Sequence, residues 1–556
     1  MKAPFFTVDF YKKRPKVLVF LLTFLIYSPL LFNHYVGDDR IIIEDNTFYH
    51  SWKNIPRVLG KGCIFNFQEA HYNYDFGTGK DSYRPISNLT YFLDYYLFGA
   101  KPYGSHLINI SIHAANAVLV YWIVNQIFSS SVLGIFAGLL FSLHPIQTET
   151  VAKMSIRADL LSTMFVLWVF YFWINFKQSG YLKKRYYGGA LAMYFLAVFS
   201  KETVFILPLV VLLFDLMLAL PRPGLRSRGI WYIGFIPIFI LFILLYFIVF
   251  PSPLVAPRIF HWLGGSWVNH CLIMGYIWCN YLINILMPWS VKAIPGHYCP
   301  PSPGIVSLAT AGIGAAVIVM TAIACMLWRN YKECVFFILW YVLFYLPVSN
   351  LFPITNPMSS HYMYLPSIGL LIVLAVFLHK IFNSDFFKKY SQHLPNLLCA
   401  AVIILCVSKN LFLMEDWKSD SDLGFAWVRD YPADYQGYAM IGELYFSASD
   451  FKNAKEYLEK SILLGNGMQS DVLTLAECHV LLGQSQAAQN LLEQIVSRYP
   501  GNSEGYMLLI KVYLNLHKFD LAEDLLKKAG QYLSAQDVLE LQHDMERWQS
   551  GRMRRS

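Results

Sequence analysis

An all-α protein in two parts, a polytopic membrane domain followed by an α-solenoid of about three repeats, is what three features of the sequence predict. The 556 residues are 56% hydrophobic and 14% charged, against a charged share of about a quarter in soluble domains. Apolar runs approaching or exceeding the ~20 residues of a bilayer span recur along residues 1–416. After that point the pattern changes to one that repeats every 34 residues: Gly442, Ala476, Ile510; Ala454, Ala488, Ala522; Leu458, Leu492, Leu526.

Residues 17–33 form the first apolar run, preceded by Lys12, Lys13, Arg14 and Lys16 and followed by no convincing small-residue cleavage site. It reads as a retained signal anchor with a cytoplasmic amino terminus. Further spans are expected near 106–128, 159–176, 230–250, 305–328, 334–350, 362–381 and 395–413, and shorter ones near 131–143, 186–200 and 203–219, which need tilt or help from neighbours. The basic clusters Lys183-Lys184-Arg185, Arg222 with Arg226 and Arg228, Arg329 with Lys332, and Lys388-Lys389 all become cytoplasmic only if segment 270–288 does not cross. That segment, ending at Met287-Pro288, is therefore expected to be re-entrant or interfacial, giving about 11 spans. One outer face then collects residues 34–105, the connection from His144-Pro145 to Arg157, 251–304, 350–365 and everything beyond Asp416.

The period of 34 is that of tetratricopeptide (TPR) repeats. Small residues at the alanine position let the two helices of each repeat approach, and Leu475, Leu509, Tyr445 and Tyr513 are expected to fill the seam. Pro500 stops the helix that ends the second repeat. Three units in strict register expose a groove suited to an extended peptide. The domains are thus 1–416 in the membrane and 417–556 as an extracytoplasmic TPR domain.

The net charge of +8 mostly reflects the basic cytoplasmic loops, and no basic stripe interleaved with aromatics points to nucleic acid. Nine cysteines are scattered without paired spacing, only Cys63 and Cys299 lying clearly in outer loops. His106 and His113 are seven apart, more in keeping with a packed helix face than a zinc site.

What remains are polar residues at the outer ends of spans. Foremost is Asp38-Asp39 in Tyr35-Val-Gly-Asp-Asp-Arg40. An Asp pair is ordinarily a solvated loop start, but two carboxylates at a bilayer surface must offset burial and mutual repulsion. Arg84-Pro85 follows, then Asn109 and His113, His144 to Glu149, Arg157 with Asp159, and Ser200-Lys201-Glu202. Singly, each reads as an ion pair or a cap. Jointly on one face they suit a charged, lipid-anchored substrate. With a sugar on a polyprenyl phosphate, Arg and Lys would bind the phosphate and stabilise the charge it gains on leaving. A carboxylate opposite would take the proton of an acceptor hydroxyl attacking the anomeric carbon, inverting its configuration.

The order Gly-Asp-Asp-Arg-Ile-Ile-Ile-Glu-Asp-Asn46, Tyr-Arg-Pro-Ile86, Asn109 to His113, Leu143-His-Pro-Ile-Gln-Thr-Glu149, Ile156-Arg-Ala-Asp-Leu160, Ser200-Lys-Glu202, Leu346-Pro-Val-Ser-Asn350 and Tyr364-Leu-Pro-Ser-Ile-Gly369 resembles the transmembrane and tetratricopeptide-repeat (TMTC) glycosyltransferases, GT-C-fold relatives of the protein O-mannosyltransferases. The transition Glu415-Asp-Trp-Lys-Ser-Asp420 is similar to theirs too, so the likeness runs along essentially the whole chain. It implies a GT-C-type transmembrane domain and transfer of mannose or another hexose from a polyprenyl-phosphate donor to Ser or Thr of exported proteins. A bound metal or cofactor is not implied. Carried over by position, the catalytic base is expected at Asp38 or Asp39. Arg84, His144, Glu149, Arg157, Lys201 and Glu202 match recurring positions for donor phosphate or substrate. His361 departs from the family, which usually has an acidic residue and then Arg where this chain has Ser360-His361; its hold on phosphate would be weaker and pH-dependent. The short array looks like that of bacterial members, with the repeats in the periplasm, or in the ER lumen of a eukaryotic host.

Two other classes fit the same layout. A transferase of the same donor could act on a glycan or a lipid, and a non-catalytic membrane scaffold could use its repeats to recruit partners to an envelope assembly. A transporter fits less well, because its ionisable residues belong near the bilayer midplane.

Overall fold

The computed structural model describes residues 14–58, 83–218, 229–249, 262–294, 331–351, 356–465 and 469–549. The span expected at 305–328, Cys63, Cys299 and the basic residues Lys12, Lys13, Arg222, Arg226, Arg228 and Arg329 lie outside them. All regular elements among the described residues are helical. The chain divides into two compact units, Met1–Ser419 and Asp420–Ser556.

The longer helices of the first unit are α1 (Pro15–Tyr27), α2 (Pro85–Phe98), α3 (Pro102–Phe128), α4 (Ser131–Leu143), α5 (Thr148–Ala152), α6 (Arg157–Gln178), α7 (Lys184–Ser200), α8 (Leu207–Met217), α9 (Phe235–Val249), α10 (Trp267–Leu286), α11 (Lys332–Tyr345), α12 (Ser367–Phe382) and α13 (Leu394–Asp416). Among the described residues, five segments are long and apolar enough to cross a bilayer: Pro15–Phe32, Pro102–Phe128, Met154–Gln178, Ile230–Ile248 and Leu394–Asp416. Ser131–Leu143 with Pro145–Ala152, bent by 49°, makes a sixth if it is one broken span. The other expected crossings appear as shorter helices, α7, α8, α11 and α12, of 17, 11, 14 and 16 residues. At ~1.5 Å rise per residue these fall short of a hydrocarbon core of about 30 Å.

Burial ranks the spans. Two thirds of the apolar window of α3 and of Met154–Gln178 is buried, 67% each, against 11% for Ile230–Ile248. On α9, Ile236, Ile240, Leu244 and Phe247 stay uncovered, the apolar exterior that lipid requires. Helices α11 and α12 touch closely: a Cβ at Gly369 would meet the Phe337 carbonyl oxygen at 2.2 Å.

Inside the bundle the polar groups find each other. The Asn410 amide donates to Tyr27 OH at 2.8 Å, and its oxygen accepts from Thr148 Oγ1 at 2.9 Å. Tyr27 OH donates to the Ser142 carbonyl at 3.0 Å. His113 lies 2.9 Å from that carbonyl through Nε2 and 2.7 Å from Tyr364 OH through Nδ1. Both ring nitrogens of His113 are thereby occupied.

Helix α10 runs along one end of the bundle. His270 Nε2 is 2.7 Å from the Asn350 carbonyl, Tyr281 OH donates to the Ser359 carbonyl at 3.0 Å, and the Ile285 carbonyl is 3.1 Å from His144 Nε2. All three partners lie in connections between helices on the same end as Asp38.

In the second unit, α14 (Asp420–Asp430) precedes the pairs α15 (Tyr435–Ser447) and α16 (Phe451–Gly465), α17 (Gln469–Leu481) and α18 (Ser485–Arg498), and α19 (Ser503–Asn515) and α20 (Phe519–Ala529), followed by α21 (Ala535–Gln549). Ala454, Ala488 and Ala522 are fully enclosed, as are Leu458 and Leu492. A Cβ at Gly442 would meet Leu458 Cγ at 2.7 Å, so the first pair of helices leaves no room for a side chain there. Past Pro500, the Asn502 side chain accepts from Gly505 N–H at 2.6 Å and starts α19.

Candidate functional site

Local sequence sends each charged side chain to the same end. Pro29 breaks α1 into a short turn, and Gly37, with φ +58°, bends the chain so that Asp38 and Asp39 face the turn before α6. Pro85 opens α2 directly after Arg84, and Ser87 Oγ donates to the Ser200 carbonyl at 3.1 Å. That contact sets Arg84 beside Glu202 at the end of α7.

The two aspartates are unlike. Asp39 is buried and accepts from the backbone N–H groups of Met154 at 2.9 Å and Ser155 at 2.6 Å. Burial pushes its carboxyl up to about 6, against the pull of Lys153 and those donors. Asp38 is 23% exposed and pairs with Lys153 Nζ, 20% exposed, at 2.6 Å. The ammonium charge holds it below the ordinary carboxylate range in spite of burial. Glu149 accepts from Ser359 Oγ at 2.5 Å and from Ser360 N–H at 2.7 Å, with His361 Nδ1 at 3.0 Å. Ser359 gives its only proton to Glu149, so Nδ1 must be the protonated ring nitrogen, and Nε2 is the one left for other partners. Asp38 feels the charges of both Glu149 and His361, which makes these residues one group.

Arg84 and Glu202 make a two-bond pair at 3.0 and 2.6 Å, 24% and 36% exposed. Burial opposes ionisation of Glu202, yet the Arg84 charge and its hydrogen bonds outweigh it and hold the carboxyl down to about 2. Lys201 pairs with Asp159 at 2.5 Å, both nearly enclosed at 5% and 8%. Tyr362 lies within electrostatic reach of Glu149, Asp159, Arg84 and Glu202 and joins this group to that of Asp38.

Two expected substrate ligands turn inward. His144 is buried, receives Ile146 N–H at Nδ1 at 3.2 Å and faces the Ile285 carbonyl with Nε2, so it caps the turn at Pro145. Arg157 spends all five N–H donors: Asn109 Oδ1 at 2.7 Å, Thr90 Oγ1 at 3.1 Å, the Ser105 carbonyl at 3.2 Å, and Asp94 at 2.8 and 2.5 Å. With no donor left, its geometry is that of a scaffold rather than a phosphate ligand. The same bond shows Asn109 of Asn109-Ile-Ser111 enclosed, unlike a glycosylated loop asparagine. Sequence reasoning missed Lys153, Asp94 and Ser359. Lys153 stands alone in Val151-Ala-Lys-Met-Ser155, and Asp94 is the one carboxylate of an otherwise apolar and polar-neutral α2; a lone charge in such surroundings is the signal available. Among the described residues, no three His, Cys, Asp or Glu side chains are grouped to hold a metal ion.

Helices that cross a membrane, a charged cluster at one end of them and a helical-repeat unit define a multi-pass membrane protein with tetratricopeptide repeats. Residues 85–247 match the dolichyl-phosphate-mannose-protein mannosyltransferase family, and 445–509 and 482–541 match tetratricopeptide repeats. The chain is 33% identical over 147 residues to human protein O-mannosyl-transferase TMTC3, covering 26% of this chain and 15% of that protein. It is 28% identical over 160 residues to protein O-mannosyl-transferase F38B6.6 of Caenorhabditis elegans, 28% of this chain and 22% of that one. With protein O-mannosyl-transferase tmtc2 of Xenopus laevis it shares 40% over 86 residues, 16% and 10% of the two chains. The chain thus contains a region similar to the dolichyl-phosphate-mannose-protein mannosyltransferase family, followed by tetratricopeptide repeats, and is distantly similar to the TMTC protein O-mannosyl-transferases. The alignments span no more than about a quarter of these relatives' own lengths. Lys153, Lys201 and Glu202 fall inside the matched family region, whereas Asp38, Asp39 and His361 fall outside it.

Proposed function

We propose that the protein is an integral-membrane, inverting glycosyltransferase that moves mannose or another hexose from a polyprenyl phosphate to Ser or Thr hydroxyls of exported proteins at the non-cytoplasmic face. The observation that carries this reading is the part-exposed pair Asp38–Lys153, linked through Glu149 and Tyr362 to the part-exposed pair Arg84–Glu202, so that a carboxylate and two reachable cations belong to one charged group. The donor's phosphate engages Lys153 and Arg84, and Lys201 adds field from beneath. The acceptor oxygen attacks the anomeric carbon as its proton passes to Asp38. The bond from that carbon to the phosphate oxygen breaks, and the electron pair leaves with the phosphate, whose added charge the two cations hold. Asp39 fixes the loop through Met154 and Ser155. About 11 crossings complete the topology, with the shorter helices α7, α8, α11 and α12 among them and α10 interfacial. The repeat groove presents the exported acceptor, in the periplasm or the ER lumen.

The test is mass spectrometry of intact exported proteins and their glycopeptides from cells with the wild-type protein, without it, and with Asp38→Asn at equal abundance. A hexose increment found only with wild type is expected and identifies the acceptor. No mass change in any protein would move the acceptor to a glycan or lipid, and an Asp38→Asn strain matching wild type in every phenotype would leave a scaffold.

His361→Arg places a permanent charge where the resembling family carries Arg. Its donor KM is expected to fall by about two- to fivefold, the worth of a part-exposed ion pair, with kcat unchanged, in assays at neutral pH.

A further inference from the structure

Five residues before Asp38 the chain is fastened to a distant part of the same unit. Asn33, only 6% exposed, donates its side-chain amide to the carbonyls of Met414 at 3.2 Å and Trp417 at 3.0 Å. These oxygens belong to the last turn of α13 and the residue just past it, where helical carbonyls lack partners of their own. The next residue adds a backbone link, His34 N–H to the Lys418 carbonyl at 3.0 Å. Tyr35 and Val36 are buried, and Gly37 turns the chain. Beyond it Asp39 is fastened to the N–H groups of Met154 and Ser155. The segment 33–39 is therefore a short strap held at both ends, with Asp38 as its half-exposed member.

We propose that Asn33 is a positioning residue of the transferase: by tying the strap to the last turn of α13, it makes the placement of the Asp38 carboxylate depend on that turn. The inference rests on the transferase reading above. Residues 417–419 continue directly into α14, the first helix of the repeat unit, so the strap is bonded to the stretch of chain that leads to the repeats. A carboxylate that must accept a proton in line with an attacking oxygen tolerates little displacement, and an error of ~1 Å can cost about a hundredfold in rate. Loss of the clamp should thus be read in kcat. Arg84 is on another element, and the Asp39 end of the strap, which sets Lys153, keeps its own hydrogen bonds to Met154 and Ser155, so donor affinity should be spared.

The experiment compares the full-length wild type with Asn33→Ala and with Asn33→Gln, which keeps the amide donor. Mannosyl transfer is measured from polyprenyl-phosphate mannose to an extract of exported proteins, and backbone hydrogen exchange is followed by mass spectrometry. For Asn33→Ala the expected result is a kcat lower by about ten- to a hundredfold with donor KM within twofold. Exchange should be faster at residues 34–39 and also at 414–418, while α3 stays protected as the check on folding. Asn33→Gln should recover at least half of the lost rate. An unchanged kcat, a rise in KM alone, or faster exchange confined to 414–418 would reduce Asn33 to a helix cap and overturn the proposal. If wild type transfers no mannose, the transferase reading fails. Hydrogen exchange then still decides the strap: faster exchange at both ends upholds the link, and at one end only it refutes it.

Discussion

Asp38→Asn is expected to lower kcat for mannosyl transfer by about 10²–10⁴-fold, the range for loss of a general base, while the protein stays folded and membrane-inserted. Asp38 is the part-exposed member of the pair, and an amide of the same shape keeps its contacts without accepting a proton. The dependence of kcat/KM on pH separates the two aspartates, because it reports groups of the free enzyme. With Asp38 as the base, the acidic limb lies below the ordinary aspartate range, since Lys153 holds it ionised there. With Asp39 as the base, activity would instead rise through about 6, where burial has pushed that carboxyl. In the His361→Arg background, which removes the titrating imidazole from the donor side, a flat profile from pH 5 to 8 is the expected result. A limb near 6 would transfer the role to Asp39.

Arg84 and Arg157, both expected from the sequence to serve the donor, should behave in opposite ways. Arg157→Met leaves Asp94 buried with its charge unpaired, at a cost of about 3–5 kcal/mol, so thermal unfolding in detergent should shift strongly downward and yield should fall. Arg84→Met breaks a pair that is 24% and 36% exposed, worth less than about 1 kcal/mol to the fold. Its effect should appear in donor KM, raised about tenfold or more by loss of a charged hydrogen-bond donor to phosphate. Melting curves and donor titrations of the two variants check both halves. An Arg157→Met protein of normal stability but poor donor binding would return that residue to the phosphate.

Much of the architecture is legible in the sequence because it is periodic. Three alanines 34 apart announce the repeats, and all three are enclosed at helix contacts. Long apolar runs announce the spans, although α8 and α11 are too short to be counted on length alone. The site is legible only as a list of polar residues at helix ends. Which of them face outward depends on tertiary neighbours: Arg157 meets Asp94 from 63 positions away, and His144 meets the Ile285 carbonyl from 141 away. Lys153 carries no motif at all; it matters because the Asp39 carboxylate seizes the next two N–H groups and so aims Lys153 at Asp38. The link between Glu149 and the Ser359–His361 turn likewise joins residues more than two hundred positions apart.

The hydrogen bond from Asn410 to Tyr27 joins the first described helix of the membrane unit to the last across 383 positions. During synthesis at about 5–20 residues per second, α1 therefore waits roughly 20–80 s for the second partner of its tyrosine, whose hydroxyl already donates to the Ser142 carbonyl. Until α13 has been inserted, the bundle has an open side and lacks the donor that Tyr27 accepts from. An interrupted chain would consequently reach the membrane with its early spans in place and still be recognisable to quality control as unfinished.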